Sequence, residues 1–258
     1  MFSPADIAER LSDVGFAKSV MSLSKMFFLA IFAGIFIALA GIASVFTNVY
    51  ANKFAGACVF TCGLAMVVTA GSELFMGNCL ITLAVLERRA TVHGMLRNWC
   101  VVYFGNLIGA GLVAAIAVYG NVFSNPEVAQ ALIDTAAAKA NLGFGDAFVK
   151  GILCNILVCI AVWMSFGTMT LEGKAILVFL PIMAFVVSGF EHCVANMFYF
   201  PAGMLQALKS GAMPEGLTVL RVIFRNLIPA TLGNIVGGGV LVGGGYWLIF
   251  SHRKYSAP

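Results

Sequence analysis

Charge is scarce in this sequence. Of 258 residues, 10% are Asp, Glu, Lys or Arg and 61% are hydrophobic, whereas a soluble globular domain carries about 25% charged residues. A chain this apolar cannot hide its surface from water, so lipid has to be part of its solvent. The net charge of +4 is spread thinly, with no Lys/Arg cluster, which argues against nucleic acid as a partner. Histidine is rarer still. His93, His192 and His252 lie far apart, without the pairing of a haem site or a catalytic dyad, so an enzyme or electron carrier is not expected. The seven cysteines, Cys58, Cys62, Cys79, Cys100, Cys154, Cys159 and Cys193, sit in apolar stretches and form no CxxC pair. They read as small hydrophobic fillers, and neither a metal nor a cofactor is expected.

Residues 1–25 lack the unbroken apolar core of a cleavable signal peptide, being interrupted by Asp6, Glu9, Arg10, Asp13, Lys18 and Lys25. With Ile7, Leu11, Val14 and Val20 roughly on one side, they read as an amphipathic helix lying along the cytoplasmic membrane surface.

Uncharged apolar runs are what the chain has in quantity. A bilayer core of about 30 Å needs about 20 such residues per helix. Six windows qualify, approximately 26–48, 54–86, 98–121, 147–167, 174–206 and 226–250. The fold expected is therefore all-α and integral to the membrane, with a channel domain over 26–250 and a cytoplasmic tail at 251–258. The segments 121–146 and 207–225 read as structured loops on one side. With the N-terminus inside, inner segments hold nine Lys/Arg and outer segments six, which favours both termini in the cytoplasm.

The second and fifth windows are too long for single spans, and each carries a polar patch near its middle. One reads Gly71-Ser72-Glu73-Leu74-Phe75-Met76-Gly77-Asn78, the other Ser188-Gly189-Phe190-Glu191-His192-Cys193-Val194-Ala195-Asn196. Each has G-x-E followed by Asn five residues after the Glu, 118 residues apart. A second pair of matches, offset by 128, sets Arg97-Asn98 and Gly105-Asn106-x-x-Gly109 against Arg225-Asn226 and Gly233-Asn234-x-x-Gly237. Two matches in the same order imply two three-helix repeats, about 26–121 and 147–250. An odd number of spans per repeat inverts one half relative to the other, and broken helices at matching positions of inverted repeats point to a solute path.

Carboxylates within lipid are costly and must face protein or water. Glu73 and Glu191 are expected to accept hydrogen bonds from the broken backbone, with Asn78 and Asn196 bridging helices at the breaks. His192 sits in a break, where an imidazole near its titration range can hand a proton to a passing weak acid. Phe60, Leu64 and Phe185 read from periodicity alone as packing.

The stretches GSELFMGN (71–78), RNWCVVYFGNLIGA (97–110), GILCNILVCIAVWMS (151–165), PIMAFVVSGFEHCVANMF (181–198) and NLIPATLGNIVGGG (226–239) together resemble the formate/nitrite transporter family, over roughly residues 4 to 250. The resemblance implies an aquaporin-like six-helix protomer in a homopentamer, each protomer with its own pore, in a bacterial-type inner membrane. It implies a small monovalent anion as solute, formate first, with hydrosulfide and nitrite behind it. It makes Phe60 and Leu64 the cytoplasmic-side and central constriction, Phe185 the outer constriction and His192 the pore histidine. By the same resemblance Asn155 and Val158 line the pore, Lys139 in an outer loop attracts anions, and Leu74, Phe75 and Met76 belong to a mobile gating loop. Met76 departs from the family pattern, which has threonine there; a thioether cannot donate a hydrogen bond to the histidine or the solute. A neutral-solute pore of aquaporin type calls for two N-P-A signatures, and the sequence has none.

Overall fold

The computed structural model describes residues 2–251, in which every regular element is helical. His252, Arg253 and Lys254, and with them nearly all of the expected tail, lie outside the described residues. Helix α1 is Pro4–Ser19. Ser3 and Asp6 cap it reciprocally, Pro4 opens it and Lys18 closes its last turn, an arrangement that satisfies free N–H groups and complements the helix dipole. It does not lie free on a membrane surface. Ile7, Leu11, Ser12 and Gly15 are buried against the rest of the protein, with Gly15 meeting Ala84 and Ile81, while Val20 faces outward at 60% exposure.

The remaining helices are α2 (Leu23–Tyr50), α3 (Lys53–Ala70), α4 (Phe75–Leu86), α5 (Val92–Tyr119), α6 (Pro126–Ala140), α7 (Phe144–Ser165), α8 (Leu171–Val187), α9 (Cys193–Ser210) and α10 (Val219–Phe250). Five of them, α2, α3, α5, α7 and α10, are long and apolar enough to cross a membrane, so the protein is multi-pass. The 174–206 window is two helices, of 17 and 18 residues. Residues 121–146, expected as loop, contain α6, which starts at the Asn125 cap and Pro126.

Small residues bring the helices together. On α2, Ala30, Ala33, Gly34, Ile37, Ala38 and Gly41 repeat every three or four residues and are buried, while Phe28, Phe32 and Leu39 face outward. The buried face packs on α5, where a Cβ at Gly109 would collide with the backbone of Ile31. The α7–α10 pair repeats this contact, with Gly237 against the backbone of Ile152. Close backbone approach gains dispersion energy where no hydrophobic effect operates between helices. Much of α10 is π-helical, over Val222–Leu227 and Ile235–Gly244; within it the Gly239 carbonyl accepts a hydrogen bond from Thr82 of α4 at 3.0 Å.

Both interrupted windows break at a glycine in the left-handed region, Gly71 at φ 72° and Gly189 at φ 67°, a conformation that favours glycine. Leu74 and His192 are extended, and α4 and α9 start immediately after them. Phe75 and Met76, expected in a loop, form the first turn of α4 instead.

Candidate functional site

The two breaks are held by matching sets of side chains. In the first, Glu73 Oε1 pairs with Lys18 Nζ at 2.9 Å and Oε2 accepts from Asn78 Nδ2 at 2.6 Å. Asn78 also donates to Asn98 at 2.8 Å. In the second, Glu191 Oε1 pairs with Lys139 Nζ at 3.0 Å, and Oε2 accepts from Asn196 at 2.7 Å and Asn226 at 2.9 Å. Asn196 donates to Asn226 at 2.6 Å. All the carboxylates and amides here are buried, and a buried charge of this kind is tolerable only when paired and hydrogen-bonded.

A second matching set closes the freed backbone. Asn106 donates to the carbonyls of Ala30 (2.8 Å) and Glu73 (2.9 Å) and accepts from Phe75 N–H at 3.0 Å. Asn234 donates to Gly151 (2.8 Å) and Glu191 (2.9 Å) and accepts from Cys193 N–H at 3.0 Å. Each asparagine thus satisfies two backbone atoms of a break and ties them to a carbonyl of a neighbouring unbroken helix, Ala30 of α2 or Gly151 of α7.

One of these placements departs from expectation, and one residue had been assigned no role. Lys139 lies in the last turn of α6, partly buried and ion-paired, and not free in an outer loop. Lys18, which the sequence reading passed over, holds the equivalent post at the end of α1. The only sequence signal for it was its place in the last turn of an amphipathic helix, which Lys139 shares.

Between the breaks stands an aromatic cluster. Phe60 meets Phe185 edge-on with ring centroids 6.0 Å apart, and His192 lies 6.5 Å from Phe60 and 5.6 Å from Phe185. Phe60 and Phe185, expected at separate constrictions, therefore touch each other. Leu64, one helical turn along α3, is buried in the wall of a cleft of about 220 Å³ that α1 helps to enclose. Leu11, Val14 and Lys18 of α1 line that cleft together with Ser72, Glu73 and Leu74.

His192 does more than face the rings. Its Nδ1 accepts the Ala195 N–H at 3.0 Å, capping α9. An acceptor at Nδ1 leaves the imidazole hydrogen on Nε2. Leu74, its counterpart 118 residues earlier, provides no side-chain cap for α4. The two breaks, alike in having a lysine–glutamate pair and bridging amides, differ in this imidazole.

Asn155 directs Nδ2 to the carbonyls of Met76 (3.2 Å) and Asn234 (2.7 Å). These bonds tie the start of α4 to α10 through α7. Val158 is buried one turn below. Met76 packs its sulfur 3.8 Å from the Cys193 thiol. Among the described residues, no group of three or more His, Cys, Asp or Glu is arranged to hold a metal ion.

The sequence and fold have relatives. The family model described as Formate/nitrite transporter matches residues 5–248. The formate channel FocA of Escherichia coli (strain K12) is 38% identical over 267 residues, covering 96% of this chain and 94% of that protein. The formate channel FocA of Haemophilus influenzae (strain Rd) is 42% identical over 205 residues, covering 74% and 72%. A solved pentameric formate channel with formate bound superposes with a TM-score of 0.78 at 37% identity, over 88% of this chain and 97% of its own.

Proposed function

This chain belongs to the formate/nitrite transporter family, and on that premise we propose that it is a channel for small monovalent anions of weak acids, formate foremost. The observation that carries the proposal is the cluster of Phe60, Phe185 and His192 lying between two broken helices. An apolar constriction excludes hydrated ions. A solute small enough to shed its water passes if a fixed donor replaces some of what it loses, and His192 Nε2–H is that donor.

Charge organises the approach. Lys18 and Lys139 stand beside the two breaks, each paired with a buried glutamate while its own side chain stays partly exposed, at 24% and 18%. Each draws an anion toward the constriction without trapping it, because the glutamate offsets the lysine at longer range. To act as a proton donor, His192 has to become an imidazolium with hydrogen on both nitrogens, and Nδ1 then releases the Ala195 N–H. Proton transfer and the start of α9 are coupled through that one atom.

We assign the paired breaks to two inverted three-span repeats that form a six-span, aquaporin-like protomer. The proposed assembly is a homopentamer, as in the solved relative, with one pore per protomer. Both ends of the chain lie in the cytoplasm and the membrane is a bacterial-type inner membrane. Hydrosulfide and nitrite, equally small and neutral when protonated, are the alternative solutes. The test is uptake of formate, nitrite and hydrosulfide into proteoliposomes at two pH values. Formate uptake above that of empty vesicles supports the proposal; impermeability to all three overturns it.

A further inference from the structure

The cleft under α1 is too large and too apolar for formate alone. Its 220 Å³ is space for about seven water-sized groups, whereas formate has three heavy atoms. Leu11, Val14, Leu64, Val67 and Leu80 make its walls apolar, and Lys18 supplies its cation. The ammonium of Lys18 has three N–H groups. Two go to Glu73 Oε1 at 2.9 Å and Asn78 Oδ1 at 2.7 Å. The third has no partner among the described residues. Both partners of the ion pair line the cleft, and of the two the lysine side chain is the more exposed, 24% against 4%.

From this geometry we infer that the cleft is a binding site for amphiphilic monoanions, a carboxylate or sulfonate head on Lys18 and an unbranched tail of about four to six carbons along the apolar wall. The inference rests on the anion-channel reading but goes beyond the solute that passes. Such a ligand enters from the α1 side and stops at Leu64, since its tail is bulkier than the constriction admits. It touches α1 through Leu11, Val14 and Lys18 and the α3–α4 break through Ser72, Glu73 and Leu74. Occupancy therefore fastens α1 to the mouth it covers and blocks flux from one side.

The probes are ethane-, butane-, hexane- and decanesulfonate, whose permanent charge keeps them on the side to which they are added. The readouts are formate flux in vesicles of known orientation and amide hydrogen exchange of α1. Block is expected from the α1 side alone, with potency rising about threefold to fourfold per added methylene up to hexanesulfonate and no further gain at decane. Hexanesulfonate should slow exchange in Pro4–Ser19, and Val14→Trp, which fills the cleft, should abolish that slowing. Equal block from both sides, potency independent of tail length, or unchanged α1 exchange overturns the inference. Exchange is read without any flux, so protection of α1 in a protein that does not pass formate would sink the channel reading and leave the binding site standing.

Discussion

The hydroxyls of Tyr103 and Thr231 meet at 3.1 Å, and the two residues are 128 apart in sequence, the spacing that separates Asn106 from Asn234. In the proposed inverted-repeat arrangement, equivalent residues touch each other only near the axis that relates the repeats. Phe75 packs edge-on against Tyr103 with centroids 5.1 Å apart, which puts the proposed axis beside the start of α4. Removing this bond with Tyr103→Phe should cost about 0.6 kcal/mol, the typical worth of a side-chain hydrogen bond within a membrane. A small fall in thermal stability, with formate flux intact, is the expected measurement.

The lysine pairs yield a less familiar expectation. Lys139→Ala removes the partner of Glu191, which is buried and keeps two amide donors. Breaking a buried pair from one side costs about 3 kcal/mol. Thermal unfolding in detergent should therefore fall clearly for Lys139→Ala, and the double variant with Glu191→Gln should recover part of the loss. Flux lost at low ionic strength alone, with unchanged stability, would make Lys139 an attracting charge without a structural role.

Constriction variants should separate by contact. Phe60 and Phe185 touch, whereas Leu64 sits a turn away in the cleft wall. Phe60→Ala and Phe185→Ala should each raise flux of larger organic anions, and their double variant should be non-additive because one opening serves both. Leu64→Ala should combine additively with either. Anion selectivity measured for the single and double variants checks this.

The glycine contacts are open to a similar test. A side chain at Gly109 or Gly237 meets the backbone of Ile31 or Ile152, which cannot retreat as a flexible side chain would. Gly109→Val and Gly237→Val should each cost about 1–3 kcal/mol as overpacking, read as reduced thermostability of the purified protein. An unaffected unfolding temperature would mean that the helices separate freely at these points.

The broken helices were legible because glycine, glutamate and asparagine recur at fixed offsets in otherwise apolar runs. What each asparagine does was not. Asn106 and Asn234 join atoms more than 30 residues away in sequence, and no periodicity encodes that. The role of Lys18 was hidden for the same reason, since its partner Glu73 lies in the break between α3 and α4, far along the chain. Hydropathy alone runs α8 into α9, because Phe190 and Cys193 keep it high; the Gly189-x-Glu191 pattern is what marked the break that Gly189 and the extended His192 create. Phe60 and Phe185 come together only when α3 and α8 pack.

Met76→Thr places a hydroxyl at the start of α4, where a sulfur now packs on Cys193. It should shift the preference among formate, nitrite and hydrosulfide, with assembly unchanged, since it removes buried thioether volume but leaves the Asn155 bond to the residue 76 carbonyl in place. Competition uptake between the three anions measures the shift.

Nδ1 of His192 caps α9, and Nε2 is the donor proposed for the solute. His192→Asn separates them: asparagine is among the best N-capping residues, so the cap survives, while the Nε2 donor and its titration are lost. The decisive measurement is formate flux across a pH series in wild-type protein and His192→Asn. The prediction is a wild-type flux that rises as pH falls, because each anion that crosses as the acid needs a proton. In His192→Asn the folded protein should pass formate with a flat pH profile and weaker selectivity. A variant with the wild-type pH profile and the wild-type selectivity would contradict the account and leave His192 as a helix cap.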